Sequence, residues 1–214
     1  MKRTDASIPA SLLMAVLMAL VVSGIAPYDR AIWWAEVIPV LVAVPLLIAT
    51  WRRFPFTPLA CGLIALFALI LILGGTHTYA RVPLGSFLQD ALGLARNPYD
   101  RIGHFFQGAT PAIIAREILL RTSPLRPGGW LFFVVLCIAL AISASYELVE
   151  WAAAIFWGDG SVEFLGTQGD PWDAQWDMFA ALIGATVAQL LLARLHDRQL
   201  DELPHTQRQD RPEP

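Results

Sequence analysis

Long apolar segments alternate with short polar ones along this chain, and their lengths predict helices that cross a membrane. Residues 8–26 contain no charged side chain, and about 20 apolar residues are enough for a helix to span a bilayer. Similar segments recur five more times, at about 33–51, 58–77, 99–121, 129–156 and 171–195. The fold class that we predict is all-α, a polytopic membrane bundle of six transmembrane helices.

The first and fourth spans each have an alternative interpretation. Lys2 and Arg3 precede the first apolar segment as in a signal peptide, although the apolar core of a signal peptide is usually only about 7 to 15 residues long. The uncharged middle of the fourth segment covers only 102–115, about 21 Å at about 1.5 Å per residue. This helix therefore crosses only if Arg101 and Arg116 reach the two membrane surfaces.

The third loop, 81–98, contains an amphipathic pattern. Its apolar residues recur at helical spacing, and its polar residues fall on the other side of the helical wheel. The apolar set is Phe87, Leu88, Ala91, Leu92 and Ala95, and the polar set is Gln89, Asp90 and Arg96. We expect an interfacial helix here, lying on the membrane surface.

The composition agrees with a membrane protein, because 56% of the residues are hydrophobic and only 15% are charged. With six spans, most Lys and Arg residues lie on the side of the N-terminus, which the positive-inside rule makes cytoplasmic. We therefore predict a polytopic membrane protein with both termini in the cytoplasm. Residues 1–195 form a single membrane domain, and 196–214 form a polar, disordered tail. Nothing in the charge pattern favours a nucleic-acid partner.

Acidic residues concentrate between positions 146 and 178, a stretch that contains no Lys or Arg. The seven acids are Glu147, Glu150, Asp159, Glu163, Asp170, Asp173 and Asp177. The six-span topology places four of them, together with His77, Asp100 and His104, in the outer half of the membrane. Acids at that depth need water, a metal or a partner, because an unpaired buried charge costs several kcal/mol, on the order of 3. We expect Asp159 and Glu163 to be solvated loop acids.

The acids of the last two spans differ in how well local structure explains them. Asp170, Pro171 and Asp173 form a helix-start pattern, with Asp170 as the N-cap. Asp177 lies one turn deeper and lacks this explanation, so it is the better candidate ligand. Glu147 and Glu150 share a face near a helix C-terminus, where the helix dipole disfavours negative charge. The alternative is that these two glutamates are simply solvated at the interface.

A histidine of the fourth span, His104, is a further candidate ligand beside these acids. Asp100 and His104 are four residues apart and share a helix face with Gln107, and a carboxylate near an imidazole can orient it for metal binding or proton transfer. In the alternative, Asp100 only complements the helix N-terminus and His104 lies at the interface. His77, alone at a helix end, is a second-rank candidate.

These residues predict an outward-facing site for a divalent cation. The expected ligands are His104, Glu147, Glu150 and Asp177, and the expected supporting residues are Asp100, Asp173, His77, Arg101 and Gln107. Oxygen ligands with one imidazole suit Mg, Mn, Zn or Fe. The substrate would be lipid-linked or a small molecule. No common catalytic motif is present, so it stays open whether the chain is an enzyme, a small proton- or cation-coupled transporter, or a non-catalytic scaffold.

Four motifs between about 33 and 195 also indicate a family. They are GGTHTYARVPLG, YDRIGHFFQG, ELVEW and GTQGDPWDAQWDM, in this order. In this combination the chain resembles the YjdF-type bacterial inner-membrane proteins, a family of unknown function. The resemblance implies a polytopic inner-membrane protein and brings no established reaction. The polar pattern on its helices is also similar, more distantly, to the VanZ-type membrane proteins linked to glycopeptide resistance.

Overall fold

Helices make up all the regular structure that the computed structural model describes, which covers residues 7–157 and 167–203. The seven α-helices of these ranges are α1 (Ser7–Ser23), α2 (Arg30–Thr50), α3 (Pro58–His77), α4 (Pro83–Leu92), α5 (Tyr99–Thr122), α6 (Gly129–Trp157) and α7 (Asp173–Asp201), with one 3-10 turn at Tyr79–Arg81. The all-α prediction is confirmed. Asp159, Glu163 and the residues from 204 to 214 lie outside the described residues.

Four of these helices are long and apolar enough to cross a membrane: α2, α3, α6 and α7. The apolar helix α1 has 17 residues, slightly fewer than the other spans. Helix α5 has 24 residues but carries charged side chains at both ends, so composition alone does not mark it as a span. Most of its residues are nevertheless buried among the other helices.

The helices pack as two groups of three. In the first group, α1 and α2 both pack against α3 around a core that includes Val37 and Ile72. In the second, α5, α6 and α7 pack together around Val135 and Ala185. Contacts between α3 and α5 join the two groups. The interior of the bundle therefore lies along α3 and α5. This position determines which residues the polar side chains of α5 can contact.

The closest helix pair is α5 with α7, because glycines remove the side chains at the crossing. A Cβ atom at Gly108 would overlap the Ala181 carbonyl, and one at Gly184 would overlap the Phe105 carbonyl. Small residues at such a crossing let two backbones approach within van der Waals contact in a membrane. The polar ends of α5 and α7 are thereby held side by side.

Both ends of α7 differ from the sequence-based expectation. The helix begins at Asp173, with Trp172 and not Asp170 at the N-cap, so the predicted start at Pro171 was wrong. Asp170 instead accepts a hydrogen bond from the Trp172 backbone N–H in the turn before the helix. At the other end α7 continues to Asp201, so the predicted domain boundary at 195 falls inside the helix.

Candidate metal centre

The first turn of α5 is fixed by the side chain of Asn97. Its carbonyl oxygen accepts a hydrogen bond from the Tyr99 backbone N–H, and its amide nitrogen donates to the carbonyls of Ala80 and Val82. The backbone of Asn97 also exchanges two hydrogen bonds, both of 3.0 Å, with the side chain of Gln168. The loop before α7 is thus tied to the start of α5, which brings the N-terminal turns of the two helices together.

His104 lies one turn into α5 with its ring orientation set by a neighbour on the same helix. Nδ1 is 3.0 Å from Gln107 Oε1, and an amide oxygen can only accept, so the proton is on Nδ1. The other ring nitrogen, Nε2, lies 3.6 Å from Asp100 Oδ1. A histidine whose other ring nitrogen donates to a fixed acceptor is the usual arrangement of a metal ligand.

Asp177 of α7 completes a group of three potential ligands with Asp100 and His104. One ligand atom from each of these residues lies within 4.8 Å of the other two. All three side chains are buried, and Asp177 is only 2% exposed. Its Oδ1 has no hydrogen-bond partner among the described residues. Buried polar atoms without a partner are rare in native proteins and require an explanation.

The two glutamates of α6 approach the same histidine from another side. Glu147 Oε1 lies 3.6 Å from His104 Nδ1 and, like Asp177 Oδ1, is buried without a hydrogen-bond partner in the described part of the chain. Glu150 lines a cavity that His104 and Asp100 also line. Of the four ligands expected from the sequence, the structure brings His104 next to Asp177 and Glu147, with Glu150 across the cavity. It also brings in Asp100, which we expected only as a supporting residue.

Asp173 and Asp170 have basic partners, unlike their neighbour Asp177. Arg96 forms a short ion pair with Asp173 and reaches Asp100 at 3.5 Å, and Arg101 donates to Asp170 at 2.8 Å. The Trp172 N–H and the Arg101 guanidinium together lower the pKa of Asp170 below its usual value. These ion pairs neutralise Asp170 and Asp173. Asp177, one turn further along α7, has no such pair within the described residues.

Sequence reasoning missed Glu36, a buried acid of α2 that belongs to the same site. The hydroxyl of Tyr146 donates a hydrogen bond of 3.3 Å to its carboxylate, and Tyr79 lines the same cavity. Gly75 makes room for it, because a Cβ there would contact the Glu36 side chain at 2.9 Å. The signal was available, since an ionisable residue inside an apolar span is itself evidence for a functional site.

These groups surround a small cavity of about 20 Å³, which is enough for one water molecule or an ion. Its polar wall is formed by acids, His104, Gln107 and two tyrosines, and its apolar wall by Phe67 and Leu71. We call the following set the acidic cluster: Glu36, Asp100, His104 and Glu150, which line the cavity, and Glu147 and Asp177, which lie beside His104. The other expected supporting residue, His77, contacts the Leu73 carbonyl of its own helix and does not line the cavity.

A second buried polar group, also missed, lies near the other ends of α5 and α7. Glu117 accepts hydrogen bonds from the Thr57 backbone and hydroxyl, from Arg121 and from His196 Nε2. Arg116 lies 3.0 Å from His196 Nδ1, and since a guanidinium can only donate, His196 is neutral with its proton on Nε2. We call these residues the Glu117 cluster.

The helices, the apolar lengths and the buried acids define a polytopic helical membrane protein with a polar site inside the bundle. The chain belongs to the family described as Predicted membrane protein (DUF2238), whose model matches residues 8–198. It is also 54% identical over 187 residues to the inner membrane protein YjdF of Escherichia coli strain K12, covering 87% of this chain and 90% of that protein. This relative and the apolar helices support an inner-membrane location. No solved structure matches the chain.

Proposed function

We propose that six helices cross the inner membrane, namely α1, α2, α3, α5, α6 and α7. Both termini then lie in the cytoplasm, and α4 lies on the outer surface. The burial of α5 between its neighbours supports counting it as a span, because its charged ends then meet protein and not lipid. The exposure of Leu84, Phe87 and Leu92 supports an interfacial α4, since these side chains would otherwise face water. In this topology the acidic cluster lies in the outer half of the membrane.

We further propose that the acidic cluster binds a divalent cation through Asp100, His104 and Asp177, with Glu147 and Glu150 as nearby acids that add negative charge. The observation that carries this proposal is the buried Asp177 oxygen without a hydrogen-bond partner, within ligand distance of the other two residues. A cation would compensate the charge of Asp177, whose Oδ1 receives no hydrogen bond from the described residues. Oxygen ligands with one imidazole suit Mg, Mn, Zn or Fe.

The substrate that we propose is lipid-linked. A bound divalent cation supplies Lewis-acid chemistry, activating water or polarising a phosphoryl or carbonyl oxygen. This chain's own residues would orient the cation through the Gln107–His104 hydrogen bond and hold a proton acceptor, Glu36, on the far wall. The apolar wall of Phe67 and Leu71 would contact the hydrocarbon part of a substrate that reaches the site from the bilayer.

The alternative function, a proton- or cation-coupled carrier, needs a path through the bundle. The tight α5–α7 crossing at Gly108 and Gly184 lies directly below the acidic cluster along both helices. A crossing this close leaves no space for water or ions between α5 and α7. This favours a site that opens to one side of the membrane.

Asp177→Asn, with Asp173→Asn as the matched control, tests the metal site. Both aspartates are on one face of α7, but Asp173 is paired with Arg96 and Asp177 is not. In purified wild-type protein stripped with chelator, we expect a divalent cation to stabilise the fold by about 2.7 kcal/mol at a hundredfold excess over its Kd. The Asp177→Asn variant should lose this stabilisation, and its bound metal by elemental analysis.

The two variants should also differ in the absence of metal. The metal-free Asp177→Asn protein should melt above the metal-free wild type, because it lacks an uncompensated buried charge. The metal-free Asp173→Asn protein should melt below it, because Arg96 loses its partner. Metal occupancy and stabilisation that are the same in Asp177→Asn as in the wild type would disprove the proposal for each cation tested.

A further inference from the structure

Helix α6 is anchored in the bundle along only part of its length. Its fully buried residues recur at every fourth position and end with a serine: Leu131, Val135, Ala139 and Ser143. The first three belong to the core that α6 shares with α5 and α7. From 144 to 156 no residue of α6 is fully buried. Close packing therefore holds the helix up to Ser143 and not beyond it.

We call residues 146–156 the outer segment of α6. Its side facing the bundle carries three polar residues: Tyr146, Glu147 and Glu150. Among the described residues, two polar contacts join this segment to other helices, namely Tyr146 to Glu36 at 3.3 Å and Glu147 to His104 at 3.6 Å. Hydrogen bonds in proteins are mostly about 2.7 to 3.0 Å long. Both contacts are longer than this, so they hold the segment only weakly.

The residues just before the outer segment allow α6 to bend. The Ser145 hydroxyl donates a hydrogen bond of 2.7 Å to the Ala141 carbonyl, which is also the acceptor of a backbone hydrogen bond of the helix. A serine that bonds to the carbonyl four residues back weakens a helix slightly and often bends it. The weakened turn and the end of the buried stripe thus coincide at 141–145.

The other walls of the cavity are fixed more firmly. Helix α5 is held against α7 at their glycine crossing. Helix α2 is held against α3, because a Cβ atom at Gly75 would lie only 2.9 Å from the Cβ atom of Glu36 and 3.7 Å from the Cα atom of Trp33. The Tyr99 hydroxyl of α5 donates to the Ile70 carbonyl of α3 at 3.0 Å. Among these walls, the outer segment of α6 is therefore the one that can move at the lowest cost.

The charge of the outer segment connects its position to the acidic cluster. Glu150 lines the cavity together with Glu36 and Asp100 of the fixed walls, and Glu147 lies three residues before it on the same helix face. Like charges repel more strongly in a low-dielectric interior than in water. A cation among these acids would replace the repulsion between the segment and the fixed walls by attraction.

We propose that the outer segment of α6 is a gate that bends at 141–145 and opens the cavity to the lipid, and that a cation bound at Asp100, His104 and Asp177 closes it by attracting Glu147 and Glu150. The cation dependence rests on the metal site proposed above, whereas the hinge does not. A bend of about 20°, the size of a kink, over the about 15 Å between 145 and 155 moves the end of the segment by about 5 Å.

Distances between nitroxide spin labels on the full chain in bilayers test the gate. The labelled pair is Ile155→Cys with Ile183→Cys, both at exposed positions, with Cys61 and Cys137 replaced by alanine. In chelator we expect a second distance about 5 Å longer than the first. Saturating Mg²⁺ or Zn²⁺ should reduce this longer component at least about tenfold. The matched control pair, Phe133→Cys with Ile183→Cys, reports on the anchored half of α6 and should show one unchanged distance.

Two variants separate the hinge from the cation. Glu147→Gln combined with Glu150→Gln removes the repulsion and should abolish the longer component without any cation. Ser145→Ala removes the hydroxyl bond at the hinge and should reduce the longer component in chelator. Thr186→Ala is its control, because it removes a hydrogen bond of the same kind, to the Leu182 carbonyl of α7, and should leave the distances unchanged.

A single distance that is the same in chelator, in either cation and in the double glutamine variant would overturn the gate, whether or not elemental analysis finds a bound cation. If the glutamine variant closes the gate and neither cation does, the hinge stands and the cation dependence is overturned. The absence of a bound cation in that case would count against the metal site itself. Equal longer components in Ser145→Ala and Thr186→Ala would overturn the position of the hinge.

Discussion

The acidic cluster and the Glu117 cluster are built on the same two helices, α5 and α7, yet their polar atoms are satisfied very differently. Glu117 is fully buried and accepts hydrogen bonds at both carboxylate oxygens from Thr57, Arg121 and His196. Asp177 is almost as buried, but its Oδ1 has no partner in the described part of the chain. The two carboxylates are buried to a similar extent. Within the described residues, however, donors reach both oxygens of Glu117, whereas Asp177 Oδ1 has none.

This difference separates a structural role from a binding role. A buried charge whose hydrogen bonds are all made by the protein stabilises one packing arrangement and has nothing left to offer a ligand. A buried carboxylate without a donor destabilises the fold until something binds to it. Glu117 therefore joins α3, α5 and α7, whereas Asp177 keeps an oxygen that no donor within the described residues uses.

Among the substitutions that test the contrast between the acidic cluster and the Glu117 cluster, Glu117→Gln should have the largest effect. The amide cannot accept the hydrogen bonds of both Arg121 and His196 as a carboxylate does, and Arg121 becomes an uncompensated buried charge. We expect the free energy of unfolding to fall by about 3 to 5 kcal/mol, measured by denaturant titration in detergent, with Glu202→Gln as the surface control. The shift on adding metal should equal that of the wild type. A Glu117→Gln protein as stable as the wild type would contradict the structural role.

A smaller effect should follow from Gly184→Ala, which lies between the two clusters. The new Cβ would overlap the Phe105 carbonyl and push α5 away from α7, at a cost of about 1 to 3 kcal/mol. Metal affinity should fall as well, because Asp177 moves relative to His104. Gly62→Ala, on α3 with open space around its Cβ position, is the control and should retain both. If both glycine variants behave alike, the crossing does not set the geometry of the site.

The smallest effect, opposite in sign to those of Glu117→Gln and Gly184→Ala, should come from Glu147→Gln. The amide keeps the shape of the side chain but removes a buried charge close to other acids. In metal-free protein we expect the free energy of unfolding to rise by about 0.5 to 1 kcal/mol, whereas the stabilisation by added metal should decrease. A loss of stability in the metal-free variant would show that Glu147 is already satisfied, and would remove the contrast with Glu117.

The helices could be predicted from the sequence because each depends on its own apolar length. The segment 58–77 coincides with α3, and 129–156 differs from α6 by one residue. The start of α7 could not be predicted, because tertiary ion pairs decide it. Asp170 is held by Arg101 of α5 and caps a turn before the helix, so the local capping pattern was overridden.

The site was predictable only where depth in the membrane was enough. Placing His104 and Asp177 at one depth required only the topology, but which acids have partners depends on contacts between distant segments. Glu36 receives a hydrogen bond from Tyr146, 110 residues away, and no local spacing reveals it. Glu117 did have a local signal, the i,i+4 pairing with Arg121, but its burial comes from α3 and α7.

The glycine crossing of α5 and α7 also limits how this molecule can move. Two backbones in direct contact cannot slide or tilt independently without a clash between carbonyls and Cα atoms. We therefore expect α5 and α7 to move as one rigid body. Any opening of the cavity must then come from α2, α3 or α6, whose residues form the rest of its wall. Within the described residues, α2 and α6 are joined across it by the Tyr146–Glu36 hydrogen bond. If the cavity opens between α2 and α6, that hydrogen bond must break, while α5 and α7 keep Asp100, His104 and Asp177 in place.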